Sequence, residues 1–217
     1  MKAIVFVLLI GCISCNTQQS ANLDEVRSTD HYIDEIILND STLKDILINL
    51  GTKDQTLRFL LPDVTKRFGT GSGEEKYFWS LINEQDSVNE VEIGQIIETY
   101  GWLGKTRVGA DANQALWLVI QHAPLEVQER FLPLLRESVA QDESEGWHLA
   151  FLEDRILMRN GKNQIFGSQA IYNKGTQQFE IYPIEDVKTV NERRAEIGLN
   201  TIEEHAESNG YVFNQKK

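Results

Sequence analysis

The sequence predicts a mainly α fold of the α+β kind, a single multi-helix domain with a two-stranded antiparallel hairpin near its C-terminal end. Three observations carry this. Apolar residues recur at three/four spacing through most of residues 24–158, which is the spacing of one helix face. Strict alternation is confined to residues 164–183, bounded by Asn160-Gly161 and broken by Gly175. Ser or Thr followed three residues later by Gln or Glu, and glycines after periodic runs, mark helix starts and stops.

Taken in order, Ile33, Ile36 and Ile37, then Leu43, Ile46, Leu47 and Leu50, form two apolar stripes, with Asp40-Ser41 between them and Gly51 as the stop. Thr52 with Gln55 reads as the capping box of a further helix with Leu57, Leu60 and Leu61 inside. Asp54 and Arg58, one turn apart, read as a first-turn acid and an exposed ion pair. The glycine-rich residues 68–73 lack the Lys-Ser/Thr ending of a phosphate loop and read as a linker. Helices follow through Tyr77, Trp79 and Leu81, and over residues 88–100 with Val91, Ile93, Ile96, Ile97 and Tyr100 inside.

Asp111 caps a helix that is apolar nearly all round, as befits one buried on several sides, and ends in Gln121-His122. Pro124 suits the start of the next helix, which Pro133 should kink. A helix over residues 146–158 places Asp154 in the stripe of Trp147, Ala150, Phe151 and Met158. The strand over residues 164–172 then pairs with residues 178–183, setting Ile171 against Phe179 and Gln169 against Ile181. In residues 186–197, Arg194 shares the face of Val187, Val190 and Ile197, and Thr201 with Glu204 caps a last short helix.

A chain of 217 residues holds one domain or at most two, and 41% apolar with 25% charged residues is ordinary for a folded soluble protein. The net charge of −12, with no Lys/Arg cluster to offset it, argues against a nucleic-acid partner. Residues 1–15 read as a lipoprotein signal: Lys2, an apolar run from Ala3 to Ile10, then small residues before Cys12 and Cys15. Leu9-Ile10-Gly11-Cys12 fits the residue pattern better, whereas Cys15 gives the more reasonable signal length; lipidation is assigned to Cys15, with Cys12 the alternative. Residues 16–22 form a polar tether, 23–210 the globular domain and 211–217 a tail. The expected partner is therefore a membrane, reached through the N-terminal lipid, and the location is the bacterial envelope, at the outer membrane or in the periplasm.

Three polar side chains stand where apolar ones belong: Asp154, Gln169 and Arg194. A buried carboxylate must be paired or protonated, so Arg194 is the expected partner of Asp154, either as a structural pair or as the wall of a cleft. His122, at a buried helix end, reads as a capping or core residue, or as a general base oriented by Asp154. Trp102, Gln121, Arg155, Gln164, Gln169 and Arg194 are the expected ligand-binding set. No metal or other cofactor is expected: His148 and Asp154 lie about 240° apart around a helix, and His122 with Asp154 gives too few ligands for a catalytic zinc. His31 and His205 read as surface residues, and the four tryptophans as core, with Trp102 able to face a cleft.

Several of these short motifs occur together. Asp54-Gln55 with Arg58, Tyr100-Gly101-Trp102, Val108-Gly109, Ala115, Trp117, Gln121-His122-Ala123, Asp154-Arg155, Gln164, Gly167-Ser168-Gln169 and Arg193-Arg194 resemble an uncharacterised bacterial family, the domain-of-unknown-function family numbered 6624. The resemblance covers about residues 51–204. Leu103 and Ser168 depart mildly, standing where that family often has proline and threonine. It implies a domain boundary and no reaction. The function expected is an envelope lipoprotein binding a polar ligand or a partner protein through a polar cleft; the alternatives are a hydrolase with His122 as base and a purely structural protein without a pocket.

Overall fold

The computed structural model describes residues 38–214. The signal, both cysteines, the tether, His31 and the stripe of Ile33, Ile36 and Ile37 lie outside the described residues.

Helix α1 (Asp40–Phe68) begins where the Asn39 side chain accepts the Thr42 N–H at 3.0 Å. It is one helix where two were expected. Gly51 does not stop it, because its missing side chain serves helix contact: a Cβ there would lie 2.6 Å from the Ala115 Cβ. Thr52 caps nothing; its hydroxyl donates back to the Ile48 carbonyl at 2.8 Å. Helix α2 (Gly73–Tyr100) starts on the Ser72 side chain and is likewise continuous, since residues 82–88 contain neither Gly nor Pro. The two run antiparallel, tied by Arg58–Asp86 and by the Leu38 N–H donating to the Tyr100 hydroxyl. Phe59, Trp79 and Val91 are exposed on this hairpin, so Trp79 and Val91 are not the core residues their spacing suggested.

Helices α3 (Lys105–Val108), α4 (Ala110–His122), α5 (Leu125–Ala140) and α6 (Gly146–Arg159) complete the larger core. Helix α4 is buried on several sides, as its composition predicts, and Pro133 sits inside α5 without ending it. Gly109, rather than Asp111, occupies the cap position of α4.

Strands β1 (Ala170–Asn173) and β2 (Gln178–Ile181) form the antiparallel hairpin, followed by α7 (Val190–Glu196) and α8 (Ile202–Asn209) with its Thr201–Glu204 capping box. The fold is thus mainly α, with eight helices and one two-stranded sheet among the described residues. The hairpin register differs from expectation: Ala170 opposes Ile181 and Tyr172 opposes Phe179. Asn173 sets it, because its side chain accepts the Gly175 and Thr176 N–H groups and so builds a four-residue turn. A one-residue slip exchanges faces, and Ile171 is exposed in consequence. Ile181, Ile184, Val190, Ile202 and Ala206 form a second, smaller core. Tyr211 and Phe213, expected in a tail, pack against it, and Val212 exchanges backbone hydrogen bonds with Phe179 and Ile181.

Candidate functional site

The first polar assembly is built on Asp154. Residues 164–169 do not form a strand; they wrap around its carboxylate, which accepts the N–H groups of Ile165 (2.7 Å), Phe166 (3.0 Å) and Ser168 (2.9 Å). Burial pushes the Asp154 pKa up, against the pull of the N–H groups of Ser168, Phe166 and Ile165. Gly167, with φ +73°, allows the turn, and a Cβ there would meet Ile202 at 2.6 Å and Ile184 at 2.8 Å.

Arg194 does not pair with Asp154. Its guanidinium, 0% exposed, donates to the Asn200 carbonyl (2.6 Å), the Asn200 side chain (3.0 Å) and the Phe166 carbonyl (2.7 Å). The loop comes between them because a carboxylate surrounded by backbone N–H groups is satisfied without a counter-charge in contact. Gln164 accepts from the Gln169 N–H and donates to the Gln169 and Tyr182 carbonyls. Gln169 in turn donates to Ser168. Asp154, Gln164, Gln169 and Arg194 are therefore consumed in holding the loop.

His122 is not near this set by any hydrogen bond, and its partner is Asp54 rather than Asp154. Asp54 lies on α1 in the stripe of Leu43, Leu47 and Leu50 and is 1% exposed. The His122 Nδ1–H donates to its Oδ1 and Oδ2 at 2.9 and 3.0 Å. A carboxylate only accepts, so Nδ1 carries a proton, and in the neutral ring Nε2 is the acceptor nitrogen. Gln55 donates to Asp54 at 2.6 Å, and Arg58, 3.3 Å from the same carboxylate, grips Asp86 of α2 with two bonds of 2.8 and 2.6 Å.

Helix α4 ends here, and the half-buried His122 lines an open cleft of about 400 Å³ with Asn83, Asp86, Ser87, Glu90 and Arg159. Nε2 has no protein partner among the described residues and is not among the buried unpartnered atoms, so it opens to this cleft. Burial, and then the Glu126 charge, push the Glu90 pKa up. Arg159 donates to the Ala123 carbonyl (2.7 Å) and Gln128 (2.9 Å), both neutral. A fixed imidazole acceptor flanked by carboxylates and a guanidinium can take a hydrogen bond from a ligand or a proton from a water.

The remaining expected residues are scattered. Trp102 donates to Ser144 (3.0 Å) beside a different cleft of about 410 Å³, lined also by Arg107 and Glu143. Gln121 donates to the Phe151 carbonyl (3.3 Å), and its Oε1 is buried without a partner. Arg155 makes no hydrogen bond or ion pair among the described residues, and its Nε is buried. Burial first, then the charges of Arg159 and Arg58, lower its pKa to about 10. His205 is buried rather than at the surface. His148 is buried between Trp117 and Trp147, with its ring stacked at 4.6 Å and 11° on Trp117. Among the described residues no group of three His, Cys, Asp or Glu side chains is placed to hold a metal ion, and no helix is long and apolar enough to cross a membrane.

Asp54, Arg58 and Asp86 were not anticipated at the site. The signal for Asp54 was present: counting on from Leu47 and Leu50 at three/four spacing lands on it, provided Gly51 is not taken as a helix end.

A family model described as a family of unknown function, DUF6624, matches residues 43–213. The chain belongs to that family. No curated protein and no solved structure matches it.

Proposed function

We propose that the chain is a lipid-anchored protein of the bacterial envelope that binds a small polar ligand in the His122 cleft. One observation carries the binding reading: Asp54 fixes His122 through Nδ1 and leaves Nε2 open to a cleft of about 400 Å³. That volume suits a small molecule rather than a protein surface. Asp154, Gln164 and Gln169 lie outside this site, because their side chains are spent on the loop.

The experiment is a nuclear magnetic resonance screen of small amides, carboxylates, phosphates and monosaccharides against the ring signals of His122. Saturable shifts that vanish in His122→Asn support the reading; no shift from any of them overturns it. A second reading, hydrolysis with His122 as general base, is favoured by Asp54 itself, since a buried carboxylate on Nδ1 stabilises an imidazolium formed at Nε2. Turnover of p-nitrophenyl esters, phosphates or glycosides, lost in His122→Asn, would separate catalysis from binding. The anchor rests on the sequence around Cys12 and Cys15: intact-mass analysis of Cys12→Ser and Cys15→Ser should show the acyl mass lost in one, and retention in both overturns it.

A further inference from the structure

The arginines beside the cleft are unevenly paired. Arg58 is neutralised by its two-bond contact with Asp86 and by Asp54. Arg159, on the cleft wall, donates only to the neutral Ala123 carbonyl and Gln128 side chain. Arg155, one turn earlier on α6, has no acceptor at all among the described residues, although its Nε is buried. After burial, the charges of Arg159 and Arg58 act on it most strongly, both lowering its pKa, and Tyr211 opposes them.

A guanidinium N–H that is buried without an acceptor loses its water and gains nothing in exchange, and the Arg155 Nε is in that position. Arginine cannot escape by shedding its proton, as a buried lysine can. Two guanidinium forks on successive turns of one helix, neither hydrogen-bonded to a carboxylate although the Glu126 charge acts on Arg159, are matched by an oxyanion, whose oxygens accept several N–H groups at once. Arg155 keeps part of its surface exposed, and Arg159, one turn on, lines the cleft itself.

We propose that Arg155 and Arg159 form an oxyanion site at the Arg159 edge of the His122 cleft, which takes a carboxylate or phosphoryl group of the ligand. This rests on the binding reading above and narrows it to anionic ligands. The His122 Nε2 acceptor then receives a hydroxyl or N–H from another part of the same molecule, while Arg58, held by Asp86, keeps the adjoining wall rigid.

Inorganic phosphate and acetate, each titrated into the intact chain at constant ionic strength against chloride, are the probes. The readouts are the Arg155 Nε–H resonance and the dissociation constant by calorimetry. A saturable shift of that resonance with phosphate or acetate is expected, with at least tenfold weaker binding in Arg155→Met and an intermediate loss in Arg155→Lys. Whichever anion binds more tightly identifies the group. No saturable shift beyond that of chloride overturns the proposal, as does unchanged affinity in a folded Arg155→Met protein. Should Arg155→Met not fold, the wild-type resonance together with Arg159→Gln decides: an unmoved Arg155 signal overturns the proposal, and tenfold weaker binding in Arg159→Gln upholds it. Failure of the two readings is distinguishable. Uncharged amides that shift His122 while both anions leave Arg155 unmoved sink only the oxyanion site; anions that shift Arg155 but not His122 sink the His122 cleft.

Discussion

Asp154 and Arg194 hold opposite ends of one residue. The Phe166 N–H donates to the Asp154 carboxylate at 3.0 Å, and the Phe166 carbonyl accepts from Arg194 at 2.7 Å. Two buried charges of opposite sign are thus joined through a peptide link instead of by contact. Arg193 extends the arrangement by donating to the Ile165 carbonyl at 2.8 and 3.0 Å. The loop over residues 164–169 is in this way clasped from α6 on one side and α7 on the other.

Asp154→Asn should destabilise the fold by about 2–4 kcal/mol, since the amide turns an N–H toward backbone donors and removes the charge they bind. Arg194→Met should cost a similar amount by leaving the Phe166 and Asn200 acceptors unpaired. Because both act on Phe166, their effects should be non-additive by about 1 kcal/mol in a denaturation double-mutant cycle. Additive costs would disprove the clasp.

Acid should weaken the protein through His148. Burial holds its pKa at about 4, against an ordinary 6.5, so the unfolded chain takes up this proton first as pH falls. This contribution is whole above about pH 6.5 and is lost progressively toward pH 4, amounting to roughly 3 kcal/mol. Urea denaturation at pH 7 and pH 4 measures it. His148→Phe should flatten the difference by that amount, and an unchanged pH dependence would refute the assignment.

Gly167→Ala should cost about 2–4 kcal/mol, because the left-handed backbone and the contact with Ile202 and Ile184 both oppose a methyl group. Thermal unfolding reads this directly. A neutral effect would mean that Ile202 and Ile184 yield easily.

Asp54→Asn should leave the chain folded at a cost of about 1–2 kcal/mol while releasing the His122 tautomer. Imidazole nitrogen shifts should then show the proton no longer confined to Nδ1. Any ligand that depends on Nε2 should bind at least about tenfold more weakly, the equivalent of ~1.4 kcal/mol. A proton that stays on Nδ1 would mean that Asp54 does not set the tautomer.

The sequence located most helices because their apolar faces repeat locally. The buried stripe of α4 and the Thr201–Glu204 capping box are legible in neighbouring letters. Gly51 is not. A glycine after an apolar run reads as a stop, and only the approach of Ala115 from another helix shows that it is a contact point. That single position divided α1, removed Asp54 from its stripe and hid the partner of His122.

The helical class, the hairpin, the family likeness and the residues that break the apolar pattern are all legible in the chain, since each is written in spacing or short motifs. What those polar residues do depends on how the distant segments fold together. Asp154, Gln164, Gln169 and Arg194 proved to satisfy backbone groups, whereas His122 and Arg155 keep free hydrogen-bonding capacity. The reason is physical. A buried polar side chain looks the same in sequence whether its partner is a nearby backbone N–H or a ligand, and the difference lies in which distant segment comes within about 3 Å of it.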